Sequence, residues 1–257
     1  MIKKKKKDSF QEFITIVKRL RKECPWDREQ THLSIRHTLI EETYEIIEAI
    51  EEKNFDELKK ELGDLLLHIV LHSLMAEEKH KFTLNQVIQS ITQKMIHRHP
   101  HVFGDASVEN AHEVKRNWEH IKLAEGRKSI LDGVPKKMPA LLRAQRIQEK
   151  ASKVGFDWTR KKDVWKKVEE EISELVVAEK SKNSAHIEEE FGDLLFAIVN
   201  YSRFIGVNPE FALNSSSHKF MKRFRYIEEE LHQRGKQLGT VSLEEMDQIW
   251  NRKKNAK

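Results

Sequence analysis

The chain carries one arrangement of acidic residues twice, at a constant spacing. Each copy has a pair of glutamates followed three residues later by a third glutamate, and then a Glu-x-x-Asp segment that contains a glycine. The second copy follows 129 positions after the first (171 − 42), and its acidic pairs are Glu42 and Glu171, Glu45 and Glu174, Glu61 and Glu190, and Asp64 and Asp193. Solenoid repeats have periods of roughly 20–50 residues, so the spacing predicts two copies of a whole domain instead.

Two further motifs repeat in the same order. Lys94-x-x-x-Arg98 is echoed by Lys219-x-x-x-Arg223, and Trp118-x-x-x-Lys122 by Trp250-x-x-x-Lys254. Glycines and prolines gather between Gly126 and Pro139, as is typical of a linker. We therefore predict an N-terminal domain over 8–125, a linker over 126–137 and a C-terminal domain over 138–257.

Both copies are predicted to be helical bundles, so the fold class is all-α. Apolar residues recur at helical spacing over 36–50, 57–79, 163–179 and 186–205, and no segment sustains an alternating strand pattern. Only 9 glycines and 5 prolines interrupt a chain in which 35% of the residues are charged. This composition suits amphipathic helices.

The spacing of the acidic residues predicts that they converge. On helical wheels, the apolar seams are assigned to Val168, Ile172 and Leu175 in one helix and to Ile187, Phe191, Leu194 and Ile198 in the next. A short loop near Lys180 makes the two helices antiparallel neighbours. Glu171 and Glu174 then share one rim with Glu190 and Asp193, and the first copy repeats the pattern.

Four converging carboxylates need positive charge, from basic side chains or from a hard cation. An all-oxygen ligand set is what Mg²⁺ or Mn²⁺ prefers. Gly63 and Gly192 lie inside the helical segments, where glycine costs about 1 kcal/mol relative to alanine. We therefore expect a neighbouring helix or a ligand to approach closely there. The alternative reading is a solvated acidic helix face, which the duplication of both motifs disfavours.

These motifs resemble the MazG family of nucleoside triphosphate pyrophosphohydrolases, which are all-α enzymes. The resemblance covers nearly the whole chain. Besides the acidic motifs it includes the segments 24–27, 98–103 and 154–158 and the terminal Trp250 and Lys254. The arrangement is similar to that of the two-domain bacterial members, so the fold it implies is a tandem pair of MazG-like bundles.

The resemblance implies Mg²⁺-dependent cleavage of ribo- and deoxynucleoside triphosphates of many bases into the monophosphate and pyrophosphate. It implies that the metal ligands are Glu171, Glu174, Glu190 and Asp193, with Glu170 as a further catalytic residue. The nucleotide-binding residues that it implies are Lys167, Glu170, Glu189, Lys219, Arg223, Trp250 and Lys254. A possible second site in the first copy comprises Glu41, Glu42, Glu45, Glu61, Asp64, Lys94 and Arg98.

The C-terminal copy is expected to be the main catalytic site, and a homodimer is implied as well. One departure is that the first copy reads Lys60-Glu61 where the second reads Glu189-Glu190. The first copy keeps every acidic ligand position, so it is not predicted to be inactive. The residue that accepts the proton from water stays open between Glu170 and a ligating glutamate.

Charge and cysteine content bear on the alternatives. The net charge of +5 equals the run Lys3–Lys7, so the rest of the chain is balanced and nucleic-acid binding is not expected. A single cysteine, Cys24, and no apolar span favour a cytoplasmic protein without membrane association. The alternative function is a non-catalytic regulator that senses a nucleotide or an alarmone.

Overall fold

The computed structural model describes residues 9–126 and 128–255, and within them it contains helices and turns but no strand. The predicted all-α class is confirmed. The chain divides into two compact units, with the boundary between Ser107 and Val108. The basic run Lys3–Lys7 lies outside the described residues.

In the described part of unit 1 one helix of 24 residues, Phe55–Glu78, is accompanied by five shorter helices. Its helices are α1 (Ser9–Glu23), α2 (Pro25–Glu29), α3 (Thr38–Glu51), α4 (Phe55–Glu78), α5 (Leu84–Arg98) and α6 (Pro100–Phe103).

Unit 2 contains three helices of more than twenty residues. Its helices are α7 (Ala111–Ala124), α8 (Ala140–Ser152), α9 (Lys161–Ser181), α10 (Ser184–Phe204), α11 (Pro209–Gln233), a short 3₁₀ helix (Leu238–Thr240) and α12 (Leu243–Asn255). The boundary of the compact units precedes α7, whereas the predicted linker follows it. The domain limits 8–125, 126–137 and 138–257 stay a prediction.

The two hairpins that carry the acidic motifs turn in the same way. In unit 1, α3 is followed by Lys53 in the left-handed conformation (φ 57°), and Asn54 then caps α4 by accepting a hydrogen bond from the backbone N–H of Glu57. In unit 2, Lys182 (φ 55°) and the cap Asn183 do the same between α9 and α10. A left-handed residue ends a helix and an asparagine cap starts the next, so each turn is short and the helices run antiparallel.

The apolar core of unit 1 lies between α1 and α4. Val17 and Met75 are almost fully enclosed, and Phe10, Phe13 and Leu67 pack against the cluster from its edge. The buried members of this cluster are Ile14, Val17, Ile35, Val70, Leu71, Leu74, Met75 and Leu84.

Unit 2 is built around α10, which packs against both α9 and α8. A separate apolar cluster of Ile227, Leu231 and Ile249 joins α11 to α12. The stretch predicted to be a linker contributes to this unit, because the Lys150 ammonium donates a 2.7 Å hydrogen bond to the carbonyl of Ile130. Among the described residues, no helix is both long and apolar enough to span a bilayer.

Candidate functional site

Three glutamates of unit 2 converge at the α9–α10 hairpin. Glu171 and Glu174 lie one turn apart on α9 and face Glu190 on α10, and one carboxylate oxygen from each lies within 4.8 Å of the other two. Glu171 is only 5% exposed. Burial and the charge of Glu171 raise the pKa of Glu174 above its ordinary value. We call this set the C-terminal cluster.

A lysine holds one edge of the C-terminal cluster. The Lys167 ammonium lies 2.7 Å from Oε1 of Glu171 and 2.7 Å from Oε1 of Glu170. Hydrogen bonding to Glu170 and Glu171 raises the lysine pKa well above its usual range. On the α10 side, His186 Nδ1 lies 3.5 Å from Glu190 and 3.9 Å from Glu189. Glu170 and Glu189 therefore flank the cluster.

Unit 1 repeats the triplet with different neighbours. Oxygens of Glu42, Glu45 and Glu61 also lie within 4.8 Å of one another, and we call them the N-terminal cluster. Glu61 is 8% exposed. Burial, a hydrogen bond with Glu57 and the charge of Glu45 raise its pKa to about 7. Burial and the charges of Asp64 and Glu45 raise the pKa of Glu42 as well.

Histidines lie beside the N-terminal cluster. His68 Nε2 is 3.8 Å from Oε1 of Glu42, and the rings of His68 and His72 are 6.2 Å apart. His72 in turn shares a 2.7 Å hydrogen bond between Nδ1 atoms with His32. Burial, and then electrostatic repulsion from His32 and His68, lower the pKa of His72.

Both clusters have the composition of a hard-cation site. Their ligand atoms are all carboxylate oxygens, and burial together with mutual repulsion raises the pKa values of Glu174 in one and of Glu42 and Glu61 in the other. A divalent cation would relieve both effects. The triplets do not include Asp64 or Asp193, although Asp64 acts electrostatically on Glu42 and Asp193 shares a cavity with Glu171.

A cavity of about 560 Å³ opens beside the C-terminal cluster. Its walls come from α8, α9, α10 and the turns that precede α8 and α9, and they are mostly apolar or aromatic. The lining residues are Leu131, Ile147, Gln148, Ala151, Phe156, Asp157, Trp158, Val164, Lys167, Glu171, Asp193, Phe196, Ala197, Asn200 and Arg203. A cavity of this size lies within the range of small-molecule sites.

A polar array of Asp157, Arg203 and Asn200 lies in the wall of this cavity. The Arg203 guanidinium donates two hydrogen bonds, of 2.6 and 2.8 Å, to the Asp157 carboxylate. It also donates to Oδ1 of Asn200, at 2.8 Å from Nη2 and 3.2 Å from Nε. A two-pronged guanidinium contact of this kind fixes the positions of both partners.

The basic and aromatic residues of the other motifs lie elsewhere in the described chain. Lys219 and Arg223 are on α11, Trp250 and Lys254 are on α12, and none of the four lines the cavity. The Arg223 guanidinium lies over the Trp250 ring at 5.3 Å, and the ring of Phe220 is 5.2 Å from that of Trp250. Arg223 and Trp250 therefore form one surface.

In unit 1, three residues besides Asp64 that were named for a possible second site lie outside the triplet. Lys94 and Arg98 are one turn apart near the end of α5, and Glu41 is an exposed residue of α3 that precedes Glu42. None of the three is part of the N-terminal cluster.

Two expectations about the hairpins need correction. A Cβ atom built at Gly63 or at Gly192 meets nothing within 4 Å, so among the described residues no neighbouring helix approaches either glycine, and the alternative of a ligand stays a prediction. The assigned seams are also partly wrong, because Ile172 is 46% and Phe191 53% exposed. The buried stripe of α9 contains Val164, Val168, Glu171 and Ala178.

Sequence reasoning missed the polar side of the cavity. Asn200 and Arg203 lie one turn apart on α10, and Asn200 follows Asp193 by two helical turns on the same face. The available signal was the pair of polar residues in an otherwise apolar helix segment at this spacing. His68 and His186 beside the two clusters were missed as well.

The chain is similar to known proteins over nearly its whole length. The family model of the MazG nucleotide pyrophosphohydrolase domain matches residues 30–103 and 160–229. The Thermotoga maritima protein named nucleoside triphosphate pyrophosphohydrolase/pyrophosphatase MazG is 46% identical over 250 residues, which cover 95% of both chains. The Escherichia coli K12 nucleoside triphosphate pyrophosphohydrolase is 44% identical, over 94% of this chain and 95% of that one. Bacillus subtilis YabN, an uncharacterized protein, is 44% identical over 95% of this chain and 51% of its own length.

Proposed function

Because the chain belongs to the MazG family, we propose that it is an enzyme that hydrolyses nucleoside triphosphates to the monophosphate and pyrophosphate with Mg²⁺ as cofactor. Ribo- and deoxynucleotides of several bases are its proposed substrates. The relatives from Thermotoga maritima and Escherichia coli carry this activity in their names and align over nearly their full length.

The position of the C-terminal cluster beside the cavity of unit 2 supports the proposal. In unit 2, an all-carboxylate cluster lies at one side of a 560 Å³ cavity whose other walls are mostly apolar and aromatic, apart from the polar array of Asp157, Arg203 and Asn200. A nucleotide has the same division, with charged phosphates at one end and a flat, largely apolar base at the other. Glu171 belongs to the cluster and also lines the cavity, so the two features are continuous.

The proposed metal ligands are Glu171, Glu174, Glu190 and Asp193. When bound there, Mg²⁺ would offset the charge of the triphosphate and favour ionisation of a water molecule. Mn²⁺, which accepts the same oxygen ligands, is proposed as a substitute. The N-terminal cluster with Asp64 has the same ligand types and is proposed as a second metal site.

The groups around the cluster suit proton transfer and phosphate binding. Glu170 is an exposed carboxylate that shares Lys167 with Glu171, so it or a ligating glutamate can accept the proton of the attacking water. The Lys167 ammonium can then bind the phosphates. Lys219 and Arg223 are proposed to bind the leaving pyrophosphate, for which the guanidinium fork offers two parallel hydrogen bonds. Trp250 and Lys254 are proposed to complete the nucleotide site, with Glu189 at its edge.

The products of the reaction test this proposal. Purified protein is incubated with each common ribo- and deoxynucleoside triphosphate, with Mg²⁺ and with EDTA, and the products are separated. We expect monophosphate and pyrophosphate in the presence of metal only. Diphosphate and orthophosphate would contradict the proposed bond cleavage. Saturable binding without turnover would favour the regulator.

We further propose that the protein is a homodimer, paired through the outer face of the α9–α10 hairpin. Several large apolar side chains of that face are exposed, and Gly192 between them offers open space for another backbone. The exposed apolar residues proposed for this face are Ile172, Val176, Val177, Phe191, Leu195 and Ile198.

Sedimentation measurements test the dimer. Phe191→Lys places a charge in the centre of the proposed interface and is expected to yield monomers, whereas the wild type sediments at twice the monomer mass. Leu213→Lys replaces an exposed apolar residue of α11 and serves as the control, which should stay dimeric. A wild type that sediments as a monomer at micromolar concentration would contradict the proposal. A cytoplasmic location stays a prediction from sequence.

A further inference from the structure

Among the described residues, only one of the two polar atoms of the Asn200 amide in the cavity wall has a hydrogen-bond partner. Arg203 can only donate hydrogen bonds, so the atom that faces it must be the Asn200 carbonyl oxygen. The amide NH₂ group is therefore directed away from Arg203, and among the described residues it finds no acceptor in the protein. Asn200 is 5% exposed and its small open surface belongs to the cavity.

The Asn200 amide nitrogen borders the open space of the cavity, so the acceptor that the protein does not supply must come from water or from a ligand there. The surrounding contacts hold the donor in this position, because Asp157 fixes Arg203 with two hydrogen bonds and Arg203 fixes Asn200 with two more. Such an array favours a ligand that brings an acceptor to this point of the cavity. The array thereby fixes the orientation of the Asn200 N–H donor.

Distance along α10 identifies the part of the ligand that reaches Asn200. Seven residues separate it from Asp193 beside the acidic cluster, which corresponds to about 10 Å along the helix axis. With phosphates at the cluster, the far edge of a nucleotide base lies at a comparable separation. Phe156, Trp158 and Phe196 line the same cavity and offer flat apolar surfaces for a base.

We propose that this cavity is the nucleobase site and that the Asn200 amide donates to a carbonyl oxygen at the far edge of the base. The inference rests on the proposed function for the class of substrate. It predicts a preference for keto bases, such as uracil, hypoxanthine and guanine, over the amino bases cytosine and adenine. An amino group at the same position would face the Asn200 donor with a second donor.

Matched substrate pairs test this without any mutation. UTP and CTP, and likewise ITP and ATP, differ at the keto or amino position and at the adjacent ring nitrogen. For the wild-type protein we expect kcat/KM to be about tenfold higher for UTP than for CTP and for ITP than for ATP, carried mainly by KM. Equal values within both pairs would overturn the inference.

Asn200→Asp and a control identify the residue responsible. The aspartate keeps the shape of the side chain but replaces the donor by an acceptor, so we expect the keto preference to be lost or reversed. Inhibition by inorganic tripolyphosphate, which has no base, should be unchanged and reports that the site is still folded. Asn214→Asp makes the same substitution on α11 outside the cavity and should keep the wild-type ratios. An Asn200→Asp protein with wild-type ratios would overturn the inference.

A binding measurement separates this inference from the proposed function. Titration calorimetry in EDTA compares UMP with CMP and IMP with AMP, and it needs no turnover. If no triphosphate is hydrolysed but the keto monophosphates bind more tightly in an Asn200-dependent way, the proposed function fails and the base site stands. If hydrolysis occurs but neither pair is discriminated, the proposed function stands and the base site is wrong.

Discussion

Lys167 in unit 2 and Thr38 in unit 1 occupy the same place in the repeat, and the two acidic clusters differ accordingly. Lys167 lies between Glu170 and Glu171 and supplies a permanent positive charge. In the N-terminal cluster the pKa of Glu61 is raised to about 7, so a proton takes part of that role. The same three ligand positions are therefore compensated by a lysine in one unit and by protonation in the other.

The space behind the two clusters differs as well. Asn200 and Arg203 line the cavity of unit 2, while the residues at the same repeat positions in unit 1 are Leu71 and Leu74, both buried in the apolar core. A metal site needs only the carboxylates, whereas a nucleotide site also needs a volume for the base. The comparison therefore predicts that both units can bind metal and that unit 2 is the one that binds and cleaves substrate.

The largest effect is expected from paired ligand substitutions. Glu174→Gln should lower kcat by about a thousandfold, because the loss of a metal ligand removes several kcal/mol of transition-state stabilisation. Glu45→Gln makes the same change in unit 1 and should leave most of the activity. Steady-state hydrolysis of one triphosphate at saturating Mg²⁺ measures both. Comparable losses of kcat in the two variants would contradict the prediction that unit 2 is the unit that cleaves the substrate.

The second largest effect is expected from a polar substitution in the apolar core of unit 1. Leu71→Asn copies the unit 2 residue into a position that is buried among apolar side chains, and we expect it to lower the free energy of unfolding by about 3 kcal/mol. Urea denaturation followed by circular dichroism gives the value. Ile69→Asn on the same helix, at a site 43% exposed, is the control and should cost far less. A small cost at Leu71 would mean that unit 1 also tolerates a polar cavity.

The hairpins and the acidic clusters could be predicted from the sequence, because they depend on local periodicity. Residues three and four apart share a helix face, and a short turn makes the two helices neighbours, so Glu171, Glu174 and Glu190 meet. The seams could not be predicted as well. An apolar residue such as Phe191 has the same pattern whether its face is covered within the chain or exposed for a second copy.

The cavity could not be predicted from the sequence pattern, for a different reason. It depends on which side chains of α8, α9 and α10 leave space between them, and helical periodicity does not report volume. In the sequence, Asn200 and Arg203 look like isolated polar residues. Only the structure shows that Arg203 joins Asn200 to Asp157, which lies on a turn distant in sequence. Long-range hydrogen bonds of this kind carry no local signal.

A smaller effect is expected from exchanging the lysine. Lys167→Thr gives unit 2 the unit 1 residue and leaves the buried Glu171 carboxylate without its cation. Because Lys167 is itself partly exposed, we expect a loss of only about 1 kcal/mol of stability in EDTA, seen as a lower thermal midpoint. Mg²⁺ should restore most of it by replacing the missing charge. A variant as stable as wild type in EDTA would show that the lysine does not compensate the cluster.

The smallest effect is expected in unit 1, in the pH dependence of stability in EDTA. The pKa of Glu61 is raised from 4.5 to about 7 on folding. Below the lower value both states are protonated and Glu61 has no influence. Between the two values the unfolded chain loses the proton while the folded one retains it, so stability falls as pH rises through this window and levels off above it.

Glu61→Gln removes this titration, because the amide stays neutral in both states. The thermal midpoint of the variant, relative to wild type, should therefore rise as pH is increased through the window between the two pKa values, and Mg²⁺ should reduce the difference by favouring the ionised wild-type carboxylate. Glu48→Gln, an exposed glutamate of α3, is the control and should follow the wild-type curve. Parallel curves for wild type and Glu61→Gln would mean that the N-terminal cluster does not rely on a proton, and that the two units balance their charge in the same way.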